Sequence, residues 1–307
     1  MKRLKRLPCG LGMLMLAILL LVLSSPVCFG QQALRWKFQP GDQFKVTTEQ
    51  KTESNTQAAD QSLKMTIQLT VEEQWDIKQV DEKGVAEIAR SLTRIQLLIR
   101  SPVDEEISFD SAKKRSAPGV ARSIAEALGP VLDKPMRIHV NPRGAVVGVE
   151  LGGQLKTQLV ELAKVLGEFF SPDSIEQQLM TIGRLPAGPV KQGASWMTQV
   201  TATTPLGTLS VSRTFTYEGE KPSTEGNLSE IVIAGQIKLI PPAKGSDRTI
   251  TLNKQTLEGV LRFDAGAGRL VESHELQTLE IQTAYREIRI ESQVKTSTHT
   301  TVTPIMP

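Results

Sequence analysis

Of the 307 residues only two are cysteine, Cys9 and Cys28, and both fall within the first thirty. A chain that begins near Gln31 therefore has no disulfide, no thiol nucleophile and no thiolate metal site. Histidine is almost as scarce. His139, His274 and His299 stand far apart in the sequence, all in stretches that read as strands. No His-x-x-x-His pair or carboxylate-rich spacing accompanies them, so they are read as sheet-surface residues, and neither metal nor cofactor is expected. A Gly-x-Ser-x-Gly elbow is missing. The glycines of Asp264-Ala-Gly-Ala-Gly268 are followed by Arg-Leu-Val-Glu, not by Gly-Lys-Ser/Thr opening a helix, and read as a hairpin turn instead of a phosphate loop. With no catalytic constellation, the expectation is that this is not an enzyme. Aromatic residues make up 4% of the chain and none interleaves the basic run Lys113-Lys114-Arg115. That run reads as a solvated loop, as does Asp104-Glu105-Glu106, and nucleic acid is not an expected partner.

What the chain does have begins with an export signature. Met1-Lys-Arg-Leu-Lys-Arg6 is a basic start, Leu11 to Leu23 is almost unbroken apolar sequence, and Ser24 to Gly30 supplies small residues for cleavage. Residues 1–30 are thus expected to be a signal peptide, and the apolar run is too short for a membrane anchor, which needs about 20 residues. Val27 before Cys28 fits poorly with a lipid-modified cysteine. The expected location is the periplasm or the extracellular space, with no transmembrane helix in the mature chain. Four of the 36 Lys and Arg lie in this segment, so 32 cations face 33 acids beyond it and the net charge falls from +3 to −1. The overall basicity belongs to the export signal and argues for no anionic partner.

From Gln31 onward the pattern is alternation. Leu34, Trp36 and Phe38 alternate before Pro40-Gly41-Asp42. Phe44 and Val46 open a further strand, which is expected to give way to a polar loop at Glu53 to Asp60. Leu63, Met65, Ile67, Leu69, Val71, Trp75 and Ile77 occupy odd positions with polar residues between them, the mark of an antiparallel strand buried on one face. Strands are also expected at Val85 to Arg100, Ile107 to Asp110, Trp196 to Thr203, Leu209 to Tyr217, Ser229 to Ile240, Thr249 to Phe263, Leu270 to Ile281 and Glu287 to Val302, and a hairpin turns at Asn141-Pro142-Arg143-Gly144. Gly41-Asp-Gln-Phe44 to Ile107-Ser-Phe-Asp110 and Gly193-Ala-Ser-Trp196 to Leu261-Arg-Phe-Asp264 open and close two strand arrays of nearly equal length.

Helical spacing is confined to the middle. A short helix is expected over Val120 to Leu128, and a longer one over Gly153 to Phe170, where Leu155, Leu159, Leu162, Leu166 and Phe169 form one stripe and Lys156, Glu161 and Lys164 the other face. Ser171-Pro172 then starts another, carrying Ile175, Leu179 and Ile182. The expected fold is mainly β (β-rich α+β). It is a single domain over 31–307, built as two β-meander repeats (31–150 and 151–307), and its large antiparallel sheet curls into a half-barrel with the amphipathic helices in the concave face. One functional expectation is an exported, noncatalytic cell-envelope protein acting as a structural or interaction module. The alternative is a carrier for a lipid or other apolar ligand held between sheet and helix, with Leu155, Leu159, Leu162, Leu166 and Phe169 as the apolar-ligand face. A lipid or an envelope protein would be the partner.

Three stretches carry a resemblance. Thr256 to Ser273, the opening Phe38-Gln-Pro-Gly-Asp-Gln-Phe44 and the Pro-x-Gly hairpin at Pro142 resemble a family of exported bacterial proteins defined by a domain of unknown function. That resemblance implies no activity. In architecture, the strand-rich plan with a helical plug is similar to the half-barrels of the periplasmic lipoprotein carriers.

Overall fold

In the computed structural model the described residues are 31–307 without 60, 103–105, 114–118, 167–170, 174, 177–184, 205–206, 225, 241–247, 286–287 and 307. The expected signal peptide, the loops at Asp104 and Lys114, Phe169 and most of the helix after Ser171 therefore lie outside them. Residues from Gln32 onward form one unit. Its twelve strands are β1 (Gln43–Ala58), β2 (Gln61–Val80), β3 (Ala86–Arg100), β4 (Ile107–Asp110), β5 (Met136–Val140), β6 (Val146–Glu150), β7 (Ser195–Thr204), β8 (Gly207–Ser223), β9 (Gly226–Ile240), β10 (Arg248–Asp264), β11 (Arg269–Tyr285) and β12 (Ile288–Pro304). Two helices, α1 (Val120–Leu128) and α2 (Gly153–Leu166), interrupt them.

All twelve strands join one antiparallel sheet in the order β6-β5-β3-β2-β1-β12-β11-β10-β9-β8-β7, with β4 on β3. Sequence neighbours pair from β1 to β4, from β5 to β6 and from β7 to β12; β5 joins on β3, β6 and β7 stand at opposite ends, and β1 meets β12 at the centre. That pairing corrects one expectation. Glu53 to Ala58 is not a loop but the second half of β1, hydrogen-bonded to β2 on one side and β12 on the other. The stretch is polar on both faces, so hydropathy hides it. From Thr48 onward hydroxyls line the inward side of β1 instead, Thr48 with Thr300 at 3.2 Å, Thr52 with Thr296 at 3.3 Å and Thr56 with Ser292 at 3.1 Å. Leu34, Trp36 and Phe38 alternate as expected but join no strand; their segment runs across the sheet's interior.

The two array openings share one backbone construction. Gly41 N–H donates to the Ile77 carbonyl at 2.9 Å and Gly193 N–H to that of Tyr217 at 2.7 Å, both glycines at positive φ. Phe44 then pairs with Trp75 and Trp196 with Phe215, and each second strand bulges just past the corner, between Ile77 and Gln79 and between Tyr217 and Gly219.

Side chains sort cleanly by face. Phe44, Val46, Ile77, Ile138, Phe215, Ile231, Ile233 and Phe263 are buried on the inner side, while Lys45, Lys51, Glu53 and Lys64 stand exposed on the outer. An apolar inside and charged outside is opposite to the polarity of a membrane-spanning β-barrel, whose outer wall carries an apolar band. Among the described residues no helix is long and apolar enough to cross a membrane. At one end of the inner face, α1 and α2 pack on each other and on β2 to β4. There Leu155, Leu159 and Leu162 are buried with Ile124, Leu128, Ile95 and Phe109.

The sheet curls without closing into a barrel. One measure is the ion pair between Arg213 in β8 and Glu275 in β11, at 2.9 Å. These strands are three apart, about 14 Å on a flat sheet. Gly235 and Gly259 lie on the intervening strands, paired with Arg213 and Glu275 respectively. A Cβ on Gly235 would come within 2.6 Å of Leu257 Cδ2 and 2.9 Å of the Ser212 carbonyl, and one on Gly259 would collide with the His274 carbonyl oxygen. Gly259→Ala should cost about 2 kcal/mol, as overpacking at a site that cannot yield usually does. Urea denaturation measures it, and an unchanged midpoint would mean that the curl does not need this glycine.

Candidate ligand cavity

The inner face is not completely filled. A cavity of about 540 Å³ lies between the two halves of the sheet, beside the packed helical end. Its wall includes Ile138, Val140 and Val146 from β5 and β6 and Trp196, Thr198 and Val200 from β7, so the opposite ends of the strand order face each other across it. All three tryptophans of the chain, Trp36, Trp75 and Trp196, line it, with Phe38, Phe215 and Phe263.

Trp36 is the hub. It stacks on Phe38 with centroids 4.9 Å apart, meets Phe263 edge-on at 5.9 Å and lies 6.5 Å from Trp75, so it touches the cores of both halves. Its segment is pinned at both sides. Trp36 N–H donates to the Pro142 carbonyl at 2.8 Å, and Lys37 N–H to that of Gly268 at 2.9 Å. Lys37 Nζ adds bonds to the carbonyls of Ala265 and Gly266. Gly268 has φ +69°, and a Cβ there would press on the Lys37 backbone nitrogen at 2.7 Å. The three stretches that carried the resemblance, around Phe38, Pro142 and Gly268, thus meet at one junction at the cavity.

Four charged residues line the wall as two ion pairs, among apolar side chains and the hydroxyls of Thr48, Thr198, Ser273 and Thr300. Arg90 grips Glu73 with two bonds, Nε to Oε2 at 2.7 Å and Nη2 to Oε1, and Trp75 Nε1 donates to the same Oε2 at 3.1 Å. Burial alone would raise the Glu73 pKa. The Arg90 charge and the bonds from Arg90 and Trp75 outweigh it and hold the carboxyl below its usual range. Burial works against the Arg90 charge as well, and Glu73 more than offsets it, raising the guanidinium above its ordinary value. Both groups sit deep in the fold yet keep 13% and 19% of their side-chain surface, because that remainder faces the cavity. The second pair, Arg213 with Glu275, is about 28% exposed on both sides.

Leu155, Leu159 and Leu162 do not line this cavity; they belong to the packed helical cluster. The side chain of Leu166 and all of Phe169 lie outside the described residues. The histidines occupy the outer strand surface or its hairpins. His139 Nε2 lies 3.3 Å from Glu150. His274 and His299, distant in sequence, are cross-strand partners with ring centroids 6.2 Å apart. Among the described residues no cluster of three or more metal-binding side chains occurs.

Sequence reasoning did not name Glu73, Arg90, Arg213 or Glu275. A signal was present. Glu73 falls between Val71 and Trp75, and Arg213 between Val211 and Phe215, each a charge at a position the alternation reserves for apolar side chains.

The fold and cavity define a curled, open antiparallel half-barrel with an apolar interior. The chain belongs to the family of unknown function DUF6263, whose model matches residues 83–265, more than half its length. No curated protein matches it. Among solved structures it is similar to lipovitellin, at 11% identity and a TM-score of 0.42 over 85% of this chain, which spans a quarter of that one. An outer membrane channel from Pseudomonas putida F1 aligns over 91% of this chain and 100% of its own, at 7% identity and a TM-score of 0.25. OpdQ of Pseudomonas aeruginosa aligns at 7% identity and a TM-score of 0.21, over 86% and 99%. Likenesses this distant carry no functional argument.

Proposed function

We propose that this protein is an exported, noncatalytic carrier that holds a lipid or other apolar molecule in the cavity between the halves of its sheet. The observation that carries the reading is the cavity itself. Its volume of about 540 Å³ lies within the range of small-molecule sites, and its wall is aromatic and aliphatic with a few convergent polar groups, the composition such sites share. A purely structural role would favour filling that space, since an unfilled apolar interior forfeits dispersion contacts. The noncatalytic part rests on Glu73 and Glu275, the carboxylates at the cavity, each being committed to an arginine. Export rests on the signature in residues 1–30.

Three measurements test this. Protein secreted by its own signal should begin near Gln31 by intact mass. Its organic extract should contain an apolar compound in near-stoichiometric amount. Because every tryptophan lines the cavity, a long-chain compound added to delipidated protein should shift the intrinsic emission. No extractable ligand together with an unresponsive emission would overturn the carrier reading.

A further inference from the structure

The charged wall of the cavity says which kind of apolar molecule fits. This step rests on the carrier reading and deepens it. Glu73 and Arg90, and Glu275 and Arg213, are the charged lining residues among those described, and they neutralise one another pair by pair. Glu73 already accepts three hydrogen bonds, near the limit of a carboxylate. Arg90 is in the opposite condition. Its Nη1 has no acceptor among the described residues, nor have Nη1 and Nη2 of Arg213, which bonds Glu275 through Nε. The cavity therefore offers spare donors and a net charge of zero.

A ligand that satisfies those donors must bring an acceptor oxygen. If that oxygen were a carboxylate or phosphate, it would be the one charge in the cavity without a compensating partner, and burying it would be costly. An ester or ketone oxygen meets the donors without that penalty. We infer that the cavity selects an uncharged acyl ester or similarly acceptor-bearing neutral lipid, with its carbonyl against the free edge of Arg90 and its chain along the aromatic wall, in preference to a free fatty acid.

Competition against N-phenyl-1-naphthylamine, a neutral fluorescent probe, tests this with three ligands: methyl laurate, laurate and tetradecane. Arg90→Met alone strands Glu73 in the interior. The double variant Glu73→Leu/Arg90→Met removes both charges together and leaves an apolar wall, an exchange that folded proteins usually tolerate. With the wild-type protein, methyl laurate should displace the probe at concentrations about tenfold below both laurate and tetradecane, the factor expected of one well-made hydrogen bond from a charged donor. In the double variant the advantage of the ester over the hydrocarbon should vanish. Equal displacement by ester and hydrocarbon in the wild type would overturn the assignment of Arg90 as the reader of the ligand. Stronger binding of laurate, lost in the double variant, would show an anion site instead and overturn the preference for neutral lipid. A wild-type protein that takes up neither the probe nor any of the three ligands would defeat the carrier reading itself, a result distinct from the other two.

Discussion

Leu159→Asp is expected to leave the protein unable to fold, whereas Val160→Asp, one residue along the same helix, should change its stability by no more than about 0.5 kcal/mol. Leu159 is 1% exposed and Val160 46%. Leu159 sits where α1, α2 and the inner face of β2 to β4 converge, among Ile95, Phe109, Ile124 and Leu128. A carboxylate placed there would have neither water nor a cation, and burying it costs several kcal/mol even after its pKa rises. A domain stable by about 5–15 kcal/mol cannot absorb that together with the lost leucine packing. Leu159→Ala should cost about 2–5 kcal/mol, the usual range where a cavity is left in a packed core. Circular dichroism during thermal melting compares the three variants. Equal midpoints for the two aspartate variants would mean that α2 is not docked through its leucine stripe.

Separating the partners of the deep ion pair should be the second large effect. Glu73→Leu leaves the Arg90 charge in the interior and should destabilise by about 3 kcal/mol, the lower end for a broken buried pair, because part of Arg90 still faces the cavity. Glu73→Leu/Arg90→Met should recover most of that loss, so the two substitutions are strongly non-additive. Acid gives an independent readout. The folded Glu73 carboxyl lies below its usual range, so its contribution is present above the unfolded value of about 4.3 and is lost as pH falls through the folded pKa. The double variant should therefore lose less stability than the wild type between neutral pH and about pH 3. Additive losses in the two single variants would show that the pair is not coupled in the folded protein.

Much of this fold was readable along the chain because most of the long strands have one apolar and one charged face. The odd-numbered run from Leu63 to Ile77 lies within β2, but its burial is graded: Ile77 is buried, Met65 to Trp75 are half-buried and Leu63 is exposed; the turns at Gly41, Asn141 and Asp264 stand where expected. Reading failed where the inner face is polar. Thr52, Ser54 and Thr56 point inward as hydroxyls, so β1 looked as if it ended six residues early. The site was less legible still. The leucine stripe of α2 was a sound sign of burial, but periodicity reports only that a face is covered. Whether protein or a vacant space covers it depends on elements far away in the chain.

The amino-acid sequence by itself determined the local matters: where most of the strands run, which side of an amphipathic strand is apolar, where the glycine turns fall, and that no thiol occurs beyond residue 30. The tertiary structure decided the rest. The contact of β1 with β12 joins residues some 250 positions apart, and nothing local specifies it. The curl over Gly235 and Gly259, and Trp36 spanning both cores, follow only once that sheet exists. A cavity is the difference between the volume the curl encloses and the volume the side chains fill. That difference belongs to no single segment, which is why the pairs Glu73 with Arg90 and Arg213 with Glu275 read as misplaced charges in the sequence and as one cavity wall in the fold.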